Sequence, residues 1–190
     1  SAEITAAKEL MGNKMVGPDA RIFEGKDLGE IPALPANILE ILNAKCDLSN
    51  DGRRVADTHR LVLVPASIDG KPLTLNALRE LATEAGKGKE PSFYGQDWYD
   101  NEAFANKPLE KSTWVLEYQT VAPKSENKTD AQQVALVEKL PNHRTAKLLE
   151  HVGAMVFNDL ENGERIYPNI YGRCEERSAS GDRVLAGIFD

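Results

Sequence analysis

The chain has 190 residues, of which 41% are hydrophobic, 28% charged and 6% aromatic, proportions typical of one folded globular domain and incompatible with wholesale disorder. Its net charge of −7 argues against nucleic acid as a partner, because a phosphate backbone repels an acidic surface. No apolar run approaches the length of about 18 residues needed to span a membrane.

Cysteine content and local composition indicate the organisation of the chain. The two cysteines, Cys46 and Cys174, are too few for a disulfide framework, which indicates a reducing compartment. We therefore expect a soluble, cytoplasmic protein, unless an export signal preceded Ser1. Residues 1–35 are predicted to be an irregular N-terminal lead-in because the part from Gly12 onward is rich in glycine and proline. Residues 36–190 are predicted to form a single α+β domain.

The first predicted elements follow Pro32 and Pro35. Apolar residues at helical spacing predict a helix over residues 36–45. The unbroken apolar run of residues 61–64 predicts a central strand covered on both faces. A turn at Asp69-Gly70 and an N-cap at Thr74 then predict a second helix that ends at Gly86. The turn before this helix lacks the glycine-rich loop that binds phosphate. We therefore interpret this strand–turn–helix segment as part of the hydrophobic core and not as a phosphate-binding site.

The later elements complete the predicted fold. Alternating residues predict a strand over 113–121, and helices are predicted over 130–140 and up to Asn162 before Gly163. A hairpin is predicted from two strands, residues 171–177 and 184–189. Together these patterns predict an α+β fold with a mainly antiparallel sheet of about four strands packed with several helices.

Catalytic candidates are few. Asp57 and His59 are two residues apart at the entrance of a strand, so an acid could orient a general-base imidazole. Cys174 could serve as nucleophile if its strand lay beside His59, although a mid-strand thiol is usually inert packing. Asp159 falls on the apolar arc of a helix, where a buried carboxylate could acquire a raised pKa. A solvent-exposed last turn explains Asp159 more simply.

Two charged patterns have structural explanations. His143 and His151 differ by about 80° in helical direction, so they do not form the one-face pair of a helical zinc site. We expect neither a metal nor a cofactor. Arg173, Glu175 and Arg177 alternate along one strand face, which is typical of a charged edge strand. An anion-binding pocket is the alternative interpretation.

The segment most typical of a binding site is the aromatic acidic loop, residues 93–101. Its aromatic faces and carboxylates suit recognition of a protein, peptide or carbohydrate, although packing under a long loop would also explain them. The candidate binding residues are Tyr94, Asp97, Trp98, Tyr99 and Asp100. No motif matches a family of known activity. We therefore expect a non-enzymatic binding or interaction module, and the alternative is a hydrolase that uses the Asp/His pair with a Cys or Asp partner.

Overall fold

The computed structural model describes residues 1–85, 99–164 and 171–187. Its helices are α1 (Ala2–Met11), α2 (Ile38–Asn43), α3 (Val55–Thr58), α4 (Leu75–Ala85), α5 (Asp130–Glu138) and α6 (Leu148–Asn162). Its strands are β1 (Met15–Val16), β2 (His59–Val64), β3 (Ser67–Ile68), β4 (Lys71–Pro72), β5 (Thr113–Tyr118), β6 (Tyr171–Arg177) and β7 (Arg183–Gly187). No helix in these ranges is both long and apolar enough to cross a membrane.

The main sheet has three strands in the order β1-β2-β5. β1 pairs in parallel with β2, with Met15 opposite Leu61. β5 pairs with β2 in antiparallel register, from His59 opposite Tyr118 to Val64 opposite Thr113. The prediction of a central strand is confirmed, because β2 has a neighbour on each edge and residues 61–64 are at most 2% exposed.

Helices cover both faces of this sheet. On one face, α4 and α6 pack with Val62 and Val64 in the larger apolar cluster. On the other face, α1 and α2 pack with Met15 and Leu61 in a second cluster. Trp114 contacts both clusters, and its indole Nε1 donates to the main-chain oxygen of Pro32 at 2.8 Å. The sheet is therefore the middle layer between two helical layers.

Helix boundaries agree with the local signals in the sequence. The Thr74 hydroxyl accepts a hydrogen bond from the main-chain nitrogen of Ala77 at 3.1 Å, which confirms Thr74 as the N-cap of α4. The 15-residue helix α6 ends at Gly163, whose φ of 68° places it in the left-handed region that glycine adopts without strain. These ends were predictable because each depends on residues that are close in sequence.

The α+β class is confirmed, but the four predicted strands do not form one sheet. β6 and β7 form a separate antiparallel sheet, and so do the short strands β3 and β4. One reason is that the edge of β6 is already occupied, since the main-chain nitrogen of Glu175 donates to the oxygen of Ala146 at 2.9 Å. The segment that precedes α6 therefore lies beside β6 in place of β5.

Residues 1–35 contain more regular structure than a lead-in would. The helix α1 is capped by Ser1, whose hydroxyl accepts from the main-chain nitrogen of Ile4 at 3.3 Å, and β1 adds an edge to the main sheet. The segment packs through Ala7 and Met11, which are buried in the second cluster. The expectation of irregular structure therefore does not describe residues 2–16, whereas the domain division at residue 35 stays a prediction.

Close packing between α6 and β2 generates the first testable prediction. A Cβ atom added to Gly153 would lie 2.8 Å from Val64 Cγ1. Alanine is favoured over glycine in a helix by about 1 kcal/mol, but overpacking a tight core costs about 1–3 kcal/mol. We expect Gly153→Ala to lower the free energy of unfolding, as measured by urea denaturation.

The matched control for Gly153→Ala is the double variant with Val64→Ala, which removes the colliding methyl groups. The destabilisation of the double variant should be smaller than the sum of the two single effects. A Gly153→Ala protein more stable than the wild type would show that helix propensity outweighs packing at this position.

Candidate functional site

A cavity of about 400 Å³ lies between β5, α5, the start of α6 and the β6–β7 hairpin. Five consecutive residues of β5, from Trp114 to Tyr118, line it. Side chains alternate between the two faces of a strand, so a lining of consecutive residues places the cavity along the edge of β5. Across from this edge, α5 contributes the half-buried apolar side chains of Val134, Leu136 and Val137.

The N-terminal end of α5 is attached to the hairpin by charged contacts. Arg177 Nη2 and Arg183 Nε donate to the two carboxylate oxygens of Asp130 at 2.9 and 3.0 Å. Arg173 Nη1 donates to Gln133 Oε1 at 2.7 Å. No residue of α5 is fully buried. These arginines therefore hold α5 over the cavity without packing it into the core. Arg173 and Arg177, the residues of the alternative anion-binding interpretation, both donate to acceptors of the protein itself.

The register of β5 determines which of its main-chain groups face the cavity. The main-chain nitrogen of Gln119 donates to the oxygen of Thr58 at 3.0 Å, so odd-numbered residues of β5 point their amides toward β2. In an antiparallel pair the alternate residues point their N–H and C=O groups away from the partner strand. The groups of Trp114 and Leu116 therefore point outward, and no main-chain partner for them is found among the described residues.

A buried acid–imidazole pair lies in the cavity wall. His151 of α6 is 5% exposed, and its Nδ1 forms a hydrogen-bonded ion pair with Glu117 of β5. Burial alone would lower the pKa of His151, but the charge and hydrogen bond of Glu117, with a hydrogen bond to the backbone of Ala186, raise it above 6.5. His151 is thereby held in a buried ion pair that connects α6 to β5.

A second buried carboxylate lies at the α6 end of the cavity. Glu150 is 4% exposed, and its two oxygens accept from Arg144 Nη1 and Nη2 at 2.9 and 2.7 Å. Burial tends to raise the pKa of Glu150, but Arg144 and the main-chain nitrogen of Lys147 lower it below its usual value. The two-point Arg144 contact fixes the segment that enters α6.

Two imidazole rings meet beside the cavity. His59, the first residue of β2, is 2% exposed, and its Nε2 lies 3.3 Å from Nε2 of the cavity-lining His143. His59 Nδ1 lies 2.9 Å from Thr58 Oγ1, and His143 Nδ1 lies 2.8 Å from the main-chain oxygen of Pro141. Burial and the neighbouring His143 lower the pKa of His59 to about 4, against a raising effect of the Val55 backbone. His59 is therefore uncharged at neutral pH.

The predicted catalytic residues do not converge. Asp57 is bound by Arg54, whose Nε and Nη2 each donate at 3.1 Å and whose hydrogen bonds lower the pKa of the Asp57 carboxyl. Cys174 is buried and unpaired, and burial raises the pKa of its thiol well above the usual range. Asp159 is half-buried in the last turn of α6. None of the three forms a hydrogen bond or ion pair with His59 in the described part of the chain, and the hydrolase interpretation stays a prediction.

The aromatic acidic loop is only partly described. Tyr94, Asp97 and Trp98 lie outside the described residues. Arg79 Nη1 donates to the Tyr99 hydroxyl at 2.9 Å and to Asp100 Oδ1 at 3.1 Å. These contacts attach Tyr99 and Asp100 to α4, and the proposed recognition role of the loop stays a prediction.

Most of the residues that form the cavity wall were not identified from the sequence. His151 is three residues after Leu148 and four before Met155, so it lies on the buried arc of α6, and this periodicity could have identified it as a buried histidine. Glu117 had no comparable signal, because its strand was expected to carry polar residues on that face. The His59–His143 contact spans 84 residues, and no local pattern predicts such a pairing.

Comparison with protein-family models, with curated proteins and with solved structures finds no match. Functional inference for this chain therefore depends on the geometry of its own residues.

The raised pKa of His151 generates a pH-dependent stability prediction. The folded-state pKa of His151 lies above the ordinary 6.5. The stabilisation that the Glu117–His151 ion pair contributes is therefore fully present below about pH 6.5 and is lost as pH rises through the folded-state pKa. We expect the free energy of unfolding to decline on this alkaline side in urea denaturation at a series of pH values. In Glu117→Gln, which removes the charge and keeps the shape, that decline should flatten. If the free energy of unfolding declined equally with pH in the wild type and in Glu117→Gln, the decline would not come from the Glu117–His151 pair.

Proposed function

We propose that this chain is a non-enzymatic binding module that accepts an extended peptide along the edge of β5 that has no strand partner among the described residues. The observation that carries the proposal is the outward direction of the Trp114 and Leu116 main-chain groups at a cavity of about 400 Å³. This volume lies within the range of about 300–1,000 Å³ that is typical of ligand sites.

Main-chain chemistry supports a peptide ligand. An unpaired strand edge presents alternating N–H and C=O groups, which an added strand satisfies through its own main chain. Trp114 and Leu116 are two residues apart, so a peptide in extended conformation can pair with both. Affinity would then come from main-chain hydrogen bonds, and side-chain contacts would set the sequence preference.

The opposite wall supports an apolar preference. Val134 and Val137 of α5, and Leu140 just after it, line the cavity and are only half-buried, so their remaining exposed surface is available to a ligand. In a bound strand, alternate side chains would point toward α5 and would bury this surface. Apolar residues at every second position of the peptide are therefore preferred.

The charged residues of the wall favour binding over catalysis. The carboxylates of Asp130 and Glu150 are each bound by arginine, and Glu117 is bound by His151. An active general base or nucleophile needs a free lone pair that faces the ligand. Both oxygens of Asp130 and of Glu150 accept from arginine, whereas Glu117 Oε2 has no hydrogen-bond partner among the described residues. The aromatic acidic loop is the alternative binding surface, but Arg79 already occupies the polar groups of its residues Tyr99 and Asp100.

The test is a selection of random peptides displayed on phage against the full chain, followed by affinity measurements on the enriched peptide. Val134→Arg places a long charged side chain in the cavity, and we expect it to weaken peptide binding at least about tenfold. The matched control is Ala135→Arg on the exposed side of α5, which should leave affinity within about twofold.

Three outcomes of this test would contradict the proposal. They are the enrichment of no peptide, equal affinity for the Val134→Arg and wild-type proteins, and full binding by a peptide methylated at every second main-chain nitrogen in either register. If binding is lost in Trp98→Ala and retained in Val134→Arg, the recognition surface is the aromatic acidic loop.

A further inference from the structure

Separately from the peptide proposal, we propose that His59 and His143 form a binding site for a divalent transition metal ion, of which Zn²⁺ is the representative probe. Their Nε2 atoms lie 3.3 Å apart. Two nitrogens at the usual zinc distance of about 2.0–2.1 Å in tetrahedral geometry are separated by about 3.3 Å. The two rings are therefore already spaced as adjacent ligands of one ion.

The hydrogen bond of His143 fixes its tautomer. Its Nδ1 lies 2.8 Å from the main-chain oxygen of Pro141, and a carbonyl oxygen can only accept. Nδ1 therefore carries the hydrogen. In the neutral ring, Nε2 then has a lone pair directed at His59.

The surroundings of His59 favour the same tautomer. The Thr58 hydroxyl lies 3.1 Å from the Arg54 oxygen and 3.3 Å from the Val55 oxygen, so its single hydrogen has acceptors within its own helical turn. Its oxygen is then free to accept from His59 Nδ1 at 2.9 Å. Nε2 of His59 therefore presents a lone pair to His143.

Two facing lone pairs require a positive charge between them, either a shared proton or a metal ion. Metal-binding histidines almost always donate their other ring N–H to an oxygen acceptor, which fixes the ring orientation. His59 and His143 both have such an acceptor. Imidazole nitrogens suit zinc, copper and nickel among the common metals, which defines the class of ion.

The surroundings of the pair define what kind of metal site it is. His59 belongs to the rigid central strand, whereas His143 lines the cavity, so the remaining coordination positions open toward the cavity. Within residues 1–85, 99–164 and 171–187, no group of three or more His, Cys, Asp or Glu side chains is arranged for a metal. Water or a donor atom of a ligand would complete the coordination, as in an exchangeable site.

Histidine content makes a direct test possible in the wild-type protein. The chain has three histidines, and His151 is engaged by Glu117 away from the pair. Imidazole nitrogen signals can be followed by nuclear magnetic resonance while Zn²⁺ is added near pH 7.5. We expect the signals of His59 and His143 to change together, whereas His151 serves as an internal reference that does not change.

A variant pair tests the same site by calorimetry. His143→Asn removes one ligand from a half-exposed loop position, and we expect the Kd for Zn²⁺ to rise at least about tenfold. Asn142→Gly, in the same loop, is the matched control and should retain wild-type affinity, because glycine adopts the φ of 59° at this position without strain. Circular dichroism of both variants establishes that the fold is retained.

Two results would overturn the metal proposal. One is a set of His59 and His143 signals that stay unchanged at about 1 mM Zn²⁺ and show a hydrogen on His59 Nε2, since the contact would then be a simple hydrogen bond. The other is unchanged Zn²⁺ affinity in His143→Asn.

Discussion

The burial of β2 is the constraint on which the rest of this structure depends. With β1 and β5 on its edges and a helical layer on each face, β2 fixes the register of β5 and the height at which α6 crosses the sheet. Because β2 uses only one side of β5, the main-chain groups of Trp114 and Leu116 on the other side have no main-chain partner among the described residues. The candidate site therefore lies at the point where the sheet, as far as it is described, ends after three strands.

Much of the local structure could be predicted from the sequence. The apolar run of β2, the Thr74 cap and the Gly163 end of α6 are signals within a few residues, and each agrees with the structure. Strand pairing was less predictable, because the hairpin gave no sign of which edge it would join. In the structure, the main chain at Ala146 pairs with Glu175 of β6. This pairing depends on where α6 begins in space.

The site itself was largely beyond local prediction. Glu117 and His151 come together only because β5 and α6 belong to adjacent layers. His59 was identified as a catalytic candidate. Its expected partner Asp57 forms an ion pair with Arg54, and the ring that contacts His59 Nε2 is that of His143. Long-range contacts of this kind need the full topology, because the residues involved carry no shared spacing or motif.

The attachment of α5 has a consequence for the rate at which a ligand enters or leaves. Its N-terminal end is connected to the hairpin by ion pairs that include a half-exposed Asp130, and its other end continues into the segment that carries His143. Dissolved salt weakens exposed ion pairs far more than buried apolar contacts. Any opening of this helix would therefore depend on ionic strength, and exchange of the proposed peptide at the cavity would become faster in concentrated salt while the β2 core keeps its structure.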